Sequence, residues 1–234
     1  MVKMKRSHDK LYLSEDNLNI KQIFVEIADE MSFYHFDSVA DVGCATGAFP
    51  NYLQKRFPNS KIVGIDYDQS LLSRAKNDFP LLEFNHGNVL DIKSVTQKYD
   101  MITMLGVLCI FDDYKSVIDN VLSWLSPNGI LILHNMVSEF DIDVFIKYKN
   151  SSPDLDKNNL ENGWNIISEK SLSLVADSNN AKIISSKPFH LKVELDKQAD
   201  VMRSWTEKNL NGGKDIYNAL HVRQPQRIIT IKKL

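Results

Sequence analysis

Apolar residues change their period along the chain, and the changes mark the elements. Between about Leu18 and Met31, Ile20, Ile23, Phe24 and Ile27 recur at helical spacing behind Ser14 and Asp16, either of which can cap a helix. Ser32 to Phe36 then lead into a short apolar run, Val39 to Val42, that reads as a buried strand breaking at Gly43 and turning helical after Gly47. Phe49, Leu53 and Phe57 predict a helix ended by Pro58 and Asn59. Lys61–Asp66 is the second strand, Gln69–Phe79 a helix opened by acids, and Leu81–Phe84 the third strand. Tyr99–Leu108 is a fourth strand, apolar enough to be central, followed by a helix from Asp112 and Asp113 to Leu125. Ser126–Gly129 turns into a fifth strand, Ile130–Asn135, with Asn128 suited to a positive φ.

The stretch between the third and fourth strands, Lys93 to Lys98, is too short for a full helix, but the alternation otherwise predicts a doubly wound parallel sheet. Beyond Asn135 the pattern weakens. Residues 136–165 are polar and read as an insertion over the active face, Ile166–Asp177 as a last sheet-covering helix, and 196–224 as a second insertion. Ala181–Ser186 and Phe189–Leu195 alternate as strand segments, and Arg227–Lys232 closes the pattern as another strand. With 234 residues the expectation is one α/β domain over 1–234, with residues 14–36 as a leading helical cap.

The turn after the first strand carries the candidate chemistry. Two glycines four apart, Gly43 and Gly47, let the backbone turn sharply and lie against a ligand, and Asp66 follows about 20 residues on, where a carboxylate can reach a ribose diol. A dinucleotide fingerprint would need G-x-G-x-x-G in front of a helix aimed at a pyrophosphate, and the third glycine is missing. Turn and acid together indicate an adenosine-bearing ligand, and the missing glycine weakens the dinucleotide reading.

The run V-A-D-V-G-C-A-T-G, residues 39–47, resembles the first motif of the Rossmann-like, S-adenosylmethionine (SAM)-dependent methyltransferases of class I, small-molecule type. The stretches around Leu105–Leu108 and Ser126–Leu133 resemble later signatures of that family, so the likeness covers about Val39 to Asn135. The resemblance implies a seven-stranded, mainly parallel sheet ordered 3-2-1-4-5-7-6 with helices on both faces, and SAM as cofactor, with S-adenosylhomocysteine as product. By the same resemblance Asp41, Gly43, Cys44, Ala45 and Gly47 would shape the methionine end, Asp66 would hold the ribose, and Tyr67 would cover the adenine. Asn88, where the family commonly has an aspartate, and Val89 would read the adenine edge, and Leu105 and Gly106 would floor the pocket. An asparagine keeps the hydrogen-bonding capacity while losing a charge.

Composition narrows the acceptor by exclusion. A formal net charge of -2 offers no global field for nucleic acid or an anionic membrane, and no basic, aromatic-interleaved stripe is present. The basic start runs into Leu11–Asp16 without an apolar core, so neither a signal peptide nor a membrane span is expected, and the expected location is the cytoplasm. Cys44 and Cys109 stand alone, which supports neither a disulfide framework nor a metal site. The fourth strand lacks the N/D-P-P-Y/F run of amino-methylating nucleic-acid enzymes, Cys109 lacks the proline of cytosine C5 enzymes, and no magnesium ligand set follows Leu105.

Methyl transfer from a sulfonium is an in-line displacement that chiefly needs orientation and exclusion of water, with a base required for an alcohol. His134, at the end of the fifth strand, is the candidate base, set against a purely structural strand-end histidine. Tyr12, Tyr34, Arg203, Trp205, His221 and Arg223 are candidate acceptor contacts, set against a solvated loop for the last four. The leading expectation is methylation of a small metabolite, at a hydroxyl of a sugar or sugar-nucleotide-like acceptor. The alternatives are a non-catalytic SAM-binding regulatory protein and an NAD-linked oxidoreductase. Oligomeric state is not encoded legibly.

Overall fold

The structure is a computed structural model that describes residues 12–13, 19–149, 160–200 and 202–234. One sheet organises it: β3 (Glu83–His86), β2 (Lys61–Asp66), β1 (Ser38–Val42), β4 (Tyr99–Leu105), β5 (Leu125–Ser138), β12 (Gln226–Lys233) and β9 (Ala181–Pro188), in that spatial order. Counted along the chain, these seven strands run 3-2-1-4-5-7-6, as the resemblance implied. The first five are parallel, and β12 lies antiparallel between β5 and β9. A two-residue strand, β8 (Ile167–Ser168), extends the sheet against the end of β5.

Alternate residues of the central strands enter two cores, which is why those strands read as continuous apolar runs. On one face Val39, Ile62, Met101, Ile130 and Ile132 pack with Phe24 and Ile27 of α1 (Gln22–Met31) and Phe49 and Leu53 of α2 (Ala48–Arg56). On the other, Ala40, Val63, Ile102, Leu131 and Leu133 pack with α4 (Tyr114–Ser123) and α5 (Glu169–Ser178). Asp68 caps α3 (Gln69–Asp78), Asp113 caps α4 and Ser168 caps α5, each accepting from backbone N–H groups of the first turn.

The leading helix begins later than its pattern suggested. Lys21 is still extended at φ -77° and ψ 145°, and Ile20 is exposed instead of joining the buried stripe, because the helix register starts at Gln22. Ser14 and Asp16 lie outside the described residues. The third strand starts at Glu83 rather than Leu81, whose side chain is exposed, and β4 ends at Leu105 instead of Leu108, where Gly106 takes φ 68°. Phe189–Leu195 is not a strand. Phe189 N still donates to Gln226 O, but its buried ring joins the α1-side core and the chain leaves the sheet after Pro188.

The first insertion expected at 136–165 is partly sheet, since β5 continues to Ser138; further on, β6 (Lys147–Tyr148) pairs with β7 (Glu161–Asn162). Asn165 sews this segment to the loop after β4: its side chain accepts from Ile146 N and donates to Phe111 O and to Asp112. The second insertion holds a hairpin of β10 (Trp205–Lys208) and β11 (Lys214–Tyr217). No helix among the described residues is long and apolar enough to cross a membrane.

Candidate active site

The ends of β1, β2, β3 and β4 lie side by side in the sheet, where an open α/β fold holds its ligand. The glycine turn follows β1. Gly43 N and Cys44 N both donate to Ile65 O, at 2.8 and 3.1 Å, and Gly43, Ala45 and Gly47 all take positive φ, at 78°, 49° and 82°. A Cβ on Gly43 would lie 2.2 Å from Val107 Cγ2, and one on Gly47 2.6 Å from the Phe84 ring. Both glycines are thus demanded by the protein's own packing as well as by backbone conformation. Gly106 differs: its φ is 68°, yet nothing lies within 4 Å of where its Cβ would project, so it leaves an open cradle at the end of β4.

Asp66, half-buried at the end of β2, turns back onto this turn. Its Oδ2 accepts from Ala45 N at 2.8 Å and its Oδ1 from Asp68 N at 2.9 Å. Burial pushes its carboxyl upward, against the pull of those two N–H groups. Each oxygen retains a second lone pair for a hydroxyl donor. Asp41, almost wholly buried at the end of β1, accepts from Thr103 Oγ1 at 2.8 Å. Burial raises its pKa to about 7, opposed by the Thr103 bond and reinforced by the nearby Asp66 charge. An acid poised at that value gains from a cationic partner.

At the outer rim Tyr67 is exposed, with its ring centroid 5.7 Å from that of His86. His86 was not singled out in the sequence; the pairing of Asp66 with His86 in the β2/β3 register brings it there. Asn88 Oδ1 accepts from Leu90 N, and Asn88 N donates to Ser94 Oγ, so the residue closes a local turn after β3. The side chains of Val89 and Cys44 are buried. Val89 packs into the core beneath α4, and Cys44 packs with Leu72, Ala75 and Phe84, where burial pushes its thiol well above the usual range.

Asp41, Thr103, Leu105, Ile132 and His134 share the α1 face of the sheet, because paired strand residues point the same way. His134 Nε2 lies 3.2 Å from Gln226 Oε1, and its ring meets Phe189 edge-on at 5.0 Å. Burial lowers its pKa to about 4, partly offset by Gln226, so the imidazole is neutral at physiological pH.

The remaining sequence candidates lie elsewhere or already have partners. Tyr34 approaches Glu30 at 3.5 Å behind α1, and Tyr12 is exposed with Lys21 above its ring. Trp205 is buried in the hairpin segment, donating to Glu207 under the Lys197 ammonium, and His221 occupies a turn at φ 55°. Arg203 N closes a turn onto Asp200 O. Arg223 pairs with Asp215 and lines a small cavity with Met136 and Trp164, where the two insertions meet over β5. Among the described residues no group of three or more side chains is arranged to hold a metal ion.

Comparison with known proteins agrees with this geometry. Residues 40–131 match the family model described as a methyltransferase domain. The chain is 27% identical over 172 residues to malonyl-acyl-carrier-protein O-methyltransferase 2 of Ilyobacter polytropus, covering 73% of this chain and 62% of that protein. It is 28% identical over 107 residues to trans-aconitate 2-methyltransferase of Escherichia coli, covering 46% of this chain and 42% of the relative. It thus spans less than two thirds of either relative's length. Among solved structures, a SAM-dependent methyltransferase of Clostridium acetobutylicum superposes with TM-score 0.57 at 16% identity over 97% of this chain and 96% of that one. The amino pentose methyltransferase CalS10 of Micromonospora echinaspora does so with TM-score 0.57 at 11% identity over 96% and 94%. The fold is thus that of the Rossmann-like, SAM-dependent methyltransferases, and residues 40–131 carry the match to a methyltransferase domain.

Proposed function

We propose that this chain binds SAM across the ends of β1 to β4 and transfers its methyl group to an oxygen of a small acceptor lying beyond β5. The observation that carries the reading is the Asp66 carboxylate fastened to Ala45 N, which puts the acid of the second strand and the glycine turn into one crevice. When bound, SAM supplies a methyl carbon already activated by its sulfonium. The chain's own residues fit the cofactor by chemistry: Asp41 offers a carboxylate to its ammonium, Asp66 lone pairs to its ribose diol, and Tyr67 with His86 an aromatic rim to its adenine. Asn88 and the Val89 backbone stand at the adenine edge, and Gly43, Ala45, Gly47, Leu105 and the open cradle at Gly106 shape the floor. The fold supports a single catalytic domain whose two insertions border the acceptor side.

The acceptor favoured by the geometry is a hydroxyl, as on a sugar or sugar nucleotide. Gln226 Oε1 beside His134 Nε2 favours a proton on that nitrogen, which would leave Nδ1 to accept from an O–H. A carboxylate acceptor is the second reading. Two of the matched relatives are named for malonyl and trans-aconitate groups, and an imidazole with its pKa near 4 is a weak base for an alcohol. Incubation with methyl-labelled SAM and separate panels of sugar nucleotides and short di- and tricarboxylates distinguishes them. Label in a base-stable ether supports the hydroxyl, a base-labile methyl ester supports the carboxylate, and SAM binding without any product supports a regulatory role.

A further inference from the structure

The strand register places one residue behind His134 that no sequence motif marks. Gln226 opens β12, pairs across the sheet with Met136, and shares its face with Ile228, the cross-strand partner of His134. Its Oε1 sits 3.2 Å from His134 Nε2, while its backbone carbonyl accepts from Phe189 N at 2.8 Å, which holds the edge-on phenyl ring against the same imidazole. Leu105 of β4 and Ile228 of β12 are the cross-strand partners of His134 and Phe189 meets its ring, while Gln226 is the polar group bonded to it and no charged residue contributes to its titration. A side-chain amide at this position can dictate which ring nitrogen carries the proton without supplying a charge of its own.

We propose that Gln226 is a positioning residue for the methyl-transfer reaction: accepting from His134 Nε2, it fixes the imidazole as the Nε2–H tautomer and reserves Nδ1 to receive the acceptor's hydroxyl hydrogen. The inference rests on the hydroxyl reading above for its catalytic part, and on the hydrogen bond alone for its structural part. As the new oxygen–carbon bond forms and the carbon–sulfur bond breaks, the hydroxyl proton passes to Nδ1, and the resulting imidazolium returns it to solvent. The electron pair of the broken bond stays on sulfur, so charge and atoms balance. Gln226 itself touches neither reactant.

Nitrogen-15 NMR of the histidine rings, with the His134 signals assigned by their loss in His134→Ala, reads the tautomer directly and needs neither cofactor nor acceptor. The wild-type ring is expected to show a protonated Nε2 and a bare Nδ1 at pH 7. Gln226→Leu should mix the two tautomers and lower turnover on the order of tenfold to a hundredfold, with SAM affinity unchanged. Gln226→Glu should restore the Nε2–H form and move the acidic limb of the pH–rate profile upward, because a carboxylate favours the imidazolium. A wild-type ring protonated on Nδ1, or a tautomer indifferent to Gln226→Leu, overturns the proposal. A correct tautomer whose loss leaves turnover intact overturns its catalytic part. Failure to find any methylated product is a separate result that strikes the proposed function, since the NMR arm still decides what Gln226 does.

Discussion

Asp66 at the end of β2 accepts the backbone N–H of Ala45, 21 positions earlier in the chain, at 2.8 Å. That single bond ties the proposed ribose acid to the turn proposed to hold the methionine end. Its second oxygen accepts from Asp68 N, so the carboxylate also sets the entry to α3. Asp66→Ala is therefore expected to lower SAM affinity at least about tenfold and stability by about 1–3 kcal/mol, because two backbone donors lose their acceptor. Calorimetric titration and thermal melting check the two effects. Asp66→Asn, which retains one acceptor oxygen, should recover stability more than affinity.

Asp41 gives the site a pH dependence. Its pKa near 7 leaves a large protonated fraction at neutral pH, and only the carboxylate attracts an ammonium group. SAM affinity should rise as pH increases from 6 to 8 and level off above. The stability effect runs the other way: the folded pKa lies above the ordinary carboxyl value of 3.8, so the unfolded chain ionises first and stability falls as pH rises between those values. Asp41→Asn should thus stabilise the ligand-free protein above pH 7, by on the order of a few kcal/mol, while abolishing this pH dependence of binding. Melting curves at pH 5 and pH 8 for both proteins test it, and an equal difference at the two pH values would contradict it.

The glycines separate packing from ligand contact. Gly43→Ala combines positive φ with a clash against Val107 and is expected to cost at least about 2 kcal/mol, with part of the loss recovered by a second Val107→Ala change. Gly106→Ala meets no protein atom and should cost only about 1 kcal/mol from its backbone conformation. If the cofactor occupies the cradle there, the same change weakens SAM binding out of proportion to stability. Parallel denaturation and binding measurements decide this.

Behind the site, Glu30 fastens α1 to the antiparallel edge of the sheet. This buried carboxylate accepts from Thr230 at 2.9 Å and pairs with Lys187 at 2.5 Å. Glu30→Ala would leave the Thr230 hydroxyl buried without its acceptor, at a cost of about 2–4 kcal/mol in chemical denaturation, whereas Glu30→Gln should cost less. Tyr34, whose hydroxyl faces the same carboxylate and is held above its ordinary pKa by burial and then by the Glu30 charge, belongs to this fastening.

The sheet was legible in the sequence because the central strands are covered on both faces and the glycine turn lies between two of them. Val39–Asp66 displays all of this within one local stretch. What stayed hidden depends on contacts distant along the chain. Ile20 fits the apolar period of α1 yet lies before the helix begins, and Phe189–Leu195 alternates like a strand although β12 already has β9 as its outer partner. Trp205 carries the composition of a ligand contact, but the β10–β11 hairpin buries its indole. Gln226 gave no signal at all: it stands 92 residues from His134, and only the antiparallel register of β12 joins them.

Titration of the chain with SAM and with S-adenosylhomocysteine at pH 8, followed by isothermal calorimetry, tests the central claim most directly. One-to-one binding of both, weakened at pH 6 and strongly reduced in Asp66→Ala, is the expected result. Absence of heat with either nucleoside from a folded protein, or undiminished binding by Asp66→Ala, would contradict the account.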